Sequence, residues 1–278
     1  RASPHPWAGG KSLIAAEVWA HLGSNCDVAL DPFFGGGSLI LGRPAPVPQG
    51  CIEIINGLDS FVVNFWRTVQ CSPDVLAEWL DYPQSEVDLH ARHLWLRTEG
   101  RAQLAALDME RDPTAHIPQV AAWWAWGQAQ WIGGGWCGTT AKRRPKIKLN
   151  GVCRRVDLPL WMENIAARLR HVSVWCGDWK RLLTGAVLEQ PNMGSKVAVL
   201  LDPPYSQAHR HHRASSPLYA VDTNPAAEVR AWCLANGHRP HLRIALFGLE
   251  GEGHEALEAQ SWTVKAWTAR GMSNQGHD

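Results

Sequence analysis

The chain reads as an α/β fold: a mostly parallel sheet covered by helices on both faces and broken by a largely helical insertion between its second and third strands. Three observations carry this reading. Five short apolar runs, each bounded by turn residues, have the length and the Val, Ile and Leu content of buried strands. Helical patterns separate several of them, as crossover connections between parallel strands require. The spacing breaks once, where about 115 residues divide the second run from the third.

In chain order, Lys11 to Leu22 has helical periodicity, and DVALD (Asp27 to Asp31) forms a first strand that feeds directly into PFFGGGS. CIEII (Cys51 to Ile55) is the second strand, followed by a helix over Asp59 to Cys71. Residues 73–165 form the insertion, dividing one domain into a first part (1–72) and a second (166–278). Asp74 to Asp108 reads as helices with Leu and Trp at three- and four-residue spacing. After it come WWAWGQAQWIGGGWCG (Trp123 to Gly138) and the basic run KRRPKIK (Lys142 to Lys148). Clustered glycines, exposed-looking aromatics and a basic run suit a recognition surface. The competing reading is a Trp-packed helix leading into a solvated loop. VSVWC (Val172 to Cys176), VAVLL (Val197 to Leu201) and LRIALF (Leu242 to Phe247) complete the strands, with a helix over Asn224 to Asn236 before the last.

Composition narrows the partners. With 27 Lys and Arg against 26 Asp and Glu, no whole-protein basic field exists, so a nucleic-acid partner must be argued from local clusters. The seven cysteines are odd in number and never arranged as CxxC, which fits reduced thiols of a cytosolic protein and neither a disulfide framework nor a zinc site. No apolar run approaches the ~18 residues of a membrane span, so a membrane is not an expected partner. The 16 tryptophans are unusual against three tyrosines and five phenylalanines; for any one of them, core packing is the ordinary role.

The strongest chemical signal is DPPY, Asp202 to Tyr205, directly after the apolar run ending at Leu201. As a bare tetrapeptide it is a turn; at the carboxyl end of a parallel strand it stands where ligands bind. The exocyclic amine of adenine is a poor nucleophile because its lone pair is delocalised into the ring. Two acceptors on one NH2 group draw the nitrogen toward a tetrahedral state. The Asp202 carboxylate supplies one and the Pro203 carbonyl the other, while the prolines hold the backbone stiff. Tyr205 adds a flat face for a base taken out of the duplex. The second signal is Asp31 to Ser38, a glycine turn after the first strand that allows close approach of a ligand to the backbone. Such a turn also holds dinucleotides, but Asp31 would repel a pyrophosphate and suits an aminoacyl ammonium group better.

On these residues the sequence resembles the Dam-type family of adenine-specific DNA methyltransferases, in its phage and prokaryotic branch. Pro6-Trp7-Ala8-Gly9-Gly10-Lys11, Asp31 to Ser38 and Asp202 to Tyr205 appear in the family's order. Asn64 to Arg67, Trp126 to Cys137, Cys176 to Asp178, Ile244 to Gly251 and Trp262 to Trp267 match between and after them, the last as a strand following the fifth. The resemblance implies a Rossmann-like class I methyltransferase sheet, S-adenosylmethionine as cofactor, and direct in-line transfer to the N6 amine of a flipped-out adenine in double-stranded DNA. It implies that Trp7 and Lys11 line the methionine end of the cofactor, with Asp31, Phe33, Gly35 and Gly37 completing the cradle and Asp178 accepting from the cofactor's adenine. Asp202, Pro203 and Tyr205 would handle the target base. Trp123 to Arg155 would belong to the target-recognition insertion, whose Lys142, Arg143, Arg144 and Lys146 are the candidate DNA contacts.

One departure stands out. Where the family has an Asn-Asp pair holding the cofactor ribose, Asn56 is followed by Gly57, with Asp59 two residues on as the candidate substitute. Cytosine-N4 or RNA amino methylation, and a DNA-binding module with an impaired cofactor pocket, are the alternatives. His209 to Arg213 (HRHHR) reads as a solvated basic loop with Arg210 and Arg213 toward phosphate, and no metal is expected. Glu250 and Glu252 read as ordinary surface carboxylates.

Overall fold

A computed structural model describes residues 3–7, 9–107, 112, 115–140, 142–147, 157–189, 196–205 and 225–267. Among these, the sheet has five strands: β1 (Val28–Asp31), β2 (Ile52–Gly57), β3 (Val172–Cys176), β4 (Val197–Leu201) and β5 (Leu242–Leu246). All pair in parallel, in the spatial order β3-β2-β1-β4-β5. The five expected strands thus form, and the order reverses direction between β1 and β4. That reversal opens a crevice at the carboxyl ends of those two strands, where open α/β sheets bind ligands.

Alternation along the strands feeds two cores. Val28 and Leu30 of β1 and Val197, Val199 and Leu201 of β4 face one side, where Trp179, Leu182, Val229 and Cys233 cover them. These covering residues belong to a 3₁₀ turn (Trp179–Leu183) and to α10 (Ala226–Asn236), with α9 (Gly185–Leu188) between. Ala29, Ala198 and Leu200 face the larger core, which α1 (Ala15–Leu22), α2 (Ser38–Leu41) and α3 (Ser60–Cys71) share with the insertion. The α1 helix begins later than the periodicity from Lys11 suggests, because Lys11 is drawn inward to an ion pair and residues 12–14 form a turn.

The insertion is helical: α4 (Pro73–Leu80), α5 (Glu86–Trp95) running through one π-turn into α6 (Arg101–Ala106), α7 (Pro118–Gln130) and α8 (Leu158–Leu169). Pro73, Pro118 and Pro159 stand in the first turns of α4, α7 and α8, where a missing N–H costs nothing. The Ser85 hydroxyl accepts from the Asp88 N–H to cap α5. The α7 helix packs against α3, α4 and α5 and buries residues on every side, which explains its lack of an apolar stripe. This corrects the picture of exposed aromatics: Trp124, Trp126, Trp131 and Trp136 are all buried. The Trp136 ring fits against Gly127, where an added Cβ would come within 1.8 Å of it.

Residues 262–267, expected as a further strand, pair with no strand among the described residues. Their side chains anchor the segment instead. Trp262 packs beside β5, Lys265 pairs with Glu17 at 2.7 Å and Trp267 covers Lys11.

A buried charge cluster ties α8 to the sheet. Glu53 of β2 accepts from Arg168 of α8 at 2.6 and 2.9 Å and from Arg43 at 3.1 Å. Arg43 also donates to the Ser24 and Cys26 carbonyls and stacks on Trp19. Removing a partner from such a pair costs about 3–5 kcal/mol, because the charges left behind stay buried. Glu53→Gln is therefore expected to lower denaturant stability by several kcal/mol, with Glu163→Gln on the exposed face of α8 as the neutral control; equal stability of the two variants would contradict this role.

Candidate active site

The carboxyl ends of β1 and β4 deliver Asp31 and Asp202 side by side. Asp31 is 2% exposed, and its side chain accepts from the Phe33 N–H at 3.3 Å, which starts the glycine turn. Burial and the neighbouring Asp202 charge push the Asp31 carboxyl well above the usual range. Asp202 is also raised by burial, but the Lys11 ammonium opposes the shift.

Lys11, 2% exposed, donates to both Asp202 oxygens at 2.6 and 2.7 Å, to the Gly9 carbonyl at 2.6 Å and to the Tyr205 hydroxyl at 2.9 Å. The rings of Phe247, Tyr205 and Trp267 surround it at 5.0, 5.3 and 5.7 Å. The ammonium thus occupies both lone-pair faces that an amine substrate of Asp202 would use. Burial beside Asp202 holds the Tyr205 phenol protonated, with its ionisation raised far above the ordinary value.

Trp7 sets the shape of the glycine turn. A Cβ on Gly35, which has φ +43°, would lie 2.3 Å from the Trp7 indole nitrogen, and one on Gly37 (φ +73°) would lie 2.9 Å from Phe34 and Trp66. The turn is therefore glycine-rich because aromatic rings close on it, in addition to any ligand. Trp66 donates its indole N–H to the Gly35 carbonyl at 2.9 Å and fixes the turn against α3.

At the neighbouring strand ends, Asn56 donates to the Pro32 and Gly177 carbonyls at 3.1 and 2.9 Å, joining β1, β2 and β3. Asp59 caps α3 by accepting from the Phe61 N–H at 2.9 Å, and burial raises its carboxyl. Asp178 accepts from the Lys180 N–H at 2.8 Å. A cavity of about 370 Å³ brings together Trp7, Phe33, Gly35, Asp59 and Asp178 with Asp202, Pro203 and Tyr205. Sequence reasoning missed Leu58, Trp179, Pro225 and Glu228, which also line it; they are ordinary residues whose position alone brings them there.

The remaining candidates lie elsewhere. Lys142 and Arg144 are exposed on the surface of the insertion, Arg143 and Lys146 are half-buried, and Pro145 bridges to Trp131. The loop with Arg210 and Arg213 falls outside the described residues. Glu252 is not a surface carboxylate: it is buried, accepts from the Leu249 N–H at 2.8 Å and closes the glycine-rich turn after β5.

His5 is the other residue the sequence did not disclose. Its ring is enclosed by Trp124, Phe65, Trp7 and Trp66 at 4.8, 5.0, 5.7 and 5.9 Å. Burial lowers its pKa to about 4.

A parallel sheet that opens its cleft between β1 and β4, with an acid-proline-proline turn at the cleft's inner end, is the architecture of a Rossmann-like methyltransferase. Comparison with known families makes this specific, since the model of the D12 class N6 adenine-specific DNA methyltransferases matches residues 7–112. Over those residues the chain is similar to this family, which supports reading it as an adenine-specific DNA methyltransferase. The matched stretch holds Trp7, Lys11, the glycine turn and Asp59, while Asp178 and Asp202 to Tyr205 lie beyond it. No curated protein matches the chain.

The His5 cage makes a pH prediction. The folded state keeps the ring neutral, whereas the unfolded chain protonates near the ordinary value of 6.5. His5 therefore costs no stability above that pH; stability falls between pH 6.5 and about 4, and the loss levels off below, where both states are protonated. The full loss from this residue is about 3 kcal/mol. His5→Gln is expected to flatten the denaturant-stability curve across that window, and an unchanged slope would contradict the assignment.

Proposed function

We propose that the cavity holds S-adenosylmethionine beside a target adenine taken out of double-stranded DNA, and that Asp202, Pro203 and Tyr205 present the adenine's amine for direct in-line transfer. The observation that carries the reading is the shared cavity, which Trp7, Phe33, Gly35, Asp59 and Asp178, expected at the cofactor, line together with the residues expected at the base, while Lys11, Asp31 and Gly37 stand behind its wall.

Charge supports the fit. Asp31 is a buried carboxylate raised by the charge of the neighbouring Asp202, and Lys11 is the ammonium bound between Asp202 and Tyr205. A ligand of net positive charge would relieve the excess. Among the described residues the buried Asn56 Oδ1 has no hydrogen-bond partner, and it adds an acceptor at the same crevice. Trp7 and Gly35 would take the methionine end, Phe33 and Asp178 the adenine end, and Asp59 the ribose hydroxyls in place of the residue absent at Gly57. When bound, the cofactor supplies an electrophilic methyl group.

The chain's own residues do the rest. Asp202 and the Pro203 carbonyl accept the two amine hydrogens and turn the lone pair out of the ring plane. Tyr205 stacks on the base, worth about 1–3 kcal/mol. For this the Lys11 ammonium must yield one Asp202 oxygen to the amine while keeping the carboxylate ionised. The surface carrying Lys142, Arg143, Arg144 and Lys146 contributes phosphate contacts.

Two measurements test this. Asp202→Ala is expected to reduce N6-methyladenine formation, read by mass spectrometry of nucleosides, about 100- to 1000-fold, while cofactor affinity by calorimetry stays within a few-fold. Activity near wild type would remove Asp202 from the mechanism. Lys11→Met is expected to move the acid limb of the kcat profile to higher pH by about one pH unit or more, because burial then raises Asp202 unopposed. An unmoved limb would show that Lys11 does not hold Asp202 ionised during turnover.

A further inference from the structure

Trp124 of α7 faces Trp7 and His5, whereas its neighbour Trp123 lines a second cavity, of about 610 Å³. Glu78, Trp79, Tyr82, Asp88 and Trp95 form its walls. Two of its rings are unusually open, Trp79 at 41% and Tyr82 at 45% exposure, and the exposed Val87 and Leu94 of α5 stand nearby in sequence. Apolar surface gathered in this way marks an interaction site.

The open rings are held in place. Tyr82 lies over the Arg92 guanidinium at 4.1 Å, and Arg92 is backed by Trp126 at 4.2 Å. The Trp126 indole also donates to the Tyr82 carbonyl at 3.0 Å. Trp79 and Trp95 meet Trp123 edge-on at 6.2 and 4.9 Å. Rings already fixed lose little freedom when a ligand stacks on them.

The basic strand runs beside this cavity. Gln84 donates to the Lys146 carbonyl at 2.7 Å and His90 donates to the Arg143 carbonyl at 3.0 Å, so Lys142 to Lys146 pass along the edge that bears Tyr82. Aromatic faces next to a basic track are the elements of unstacked nucleic-acid binding. Glu78 and Asp88 would repel a phosphate inside the cavity, but a carboxylate accepts hydrogen bonds from a base's exocyclic amine.

We propose that this cavity is a second nucleobase site, which receives an unstacked, amino-bearing base of the DNA while the basic strand holds the adjoining phosphates. The proposal rests on DNA being the substrate. It favours cytosine, adenine or guanine over thymine, which has no exocyclic amine.

The indole N–H resonances of Trp79, Trp95 and Trp123, followed in the full chain during titration with tetradeoxycytidylate or tetradeoxythymidylate, test it. Cytidylate cannot serve as the adenine target. It is expected to shift these signals and to bind about tenfold more tightly than thymidylate. Trp79→Ala and Tyr82→Ala should each weaken its binding about tenfold, and raise KM for duplex DNA with kcat unchanged and melting temperature preserved. Unmoved resonances, equal binding of the two oligonucleotides, or self-association of the chain through this face in sedimentation velocity would each overturn the proposal. Because N6-methyladenine formation is measured on the same wild-type preparation, loss of the second site is separable from loss of the methyltransferase reading.

Discussion

A buried ammonium, Lys11, bound to Asp202 beside the buried Asp31 carboxyl sets the terms for the whole cleft end of this protein. Parallel strands β1 and β4 must end side by side for Asp31 and Asp202 to approach, and the reversal of strand order at that point makes room for them. Lys11 reaches Asp202 only because the chain before α1 is pulled into the cleft under the rings of Phe247, Tyr205 and Trp267. The distance in sequence is 191 residues, so the first and last thirds of the chain must fold together before either carboxylate has its counterion. Most of the cleft's geometry follows from that one closure.

Aromatic packing does for shape what the ion pair does for charge. Trp7, Trp66 and Trp124 converge with Phe65 on His5, and Trp7 and Trp66 also press on the glycine turn. The turn's curvature is thus imposed from behind by hydrophobic contacts, and the ligand-facing side inherits it. This explains why a protein with so many tryptophans spends several of them within reach of the crevice between β1 and β4.

Much of this was legible in the sequence, for a physical reason. Strands buried on both faces, such as VAVLL, announce themselves as continuous apolar runs, and DPPY directly after one of them has a fixed place in a parallel sheet. Asp31, Asp59 and Asp178 stand at or just after the ends of β1, β2 and β3, and strand ends are readable. What escaped depended on contacts between distant segments. Nothing near Lys11 names Asp202 as its partner, and nothing near His5 foretells four surrounding rings. The α7 helix stayed open between a surface patch and a Trp-packed helix, and the packing of Trp136 on Gly127 decides for the packed helix. Glu252 escaped because a glutamate between glycines is ordinarily solvated. The segment 262–267 was expected as a strand only from the resemblance, and its Trp and Lys side chains are committed to tertiary anchors.

The clamp between Glu53 and Arg168 carries a mechanical consequence. The insertion leaves the sheet through α3 and returns through α8, and Arg168 pins that return both to β2 and to the Ile40 carbonyl beside the glycine turn. An insertion fastened at both ends transmits force to the sheet and cannot swing on a single hinge. Insertion and sheet therefore meet any bound partner as one body, and a change of shape on binding falls chiefly on that partner.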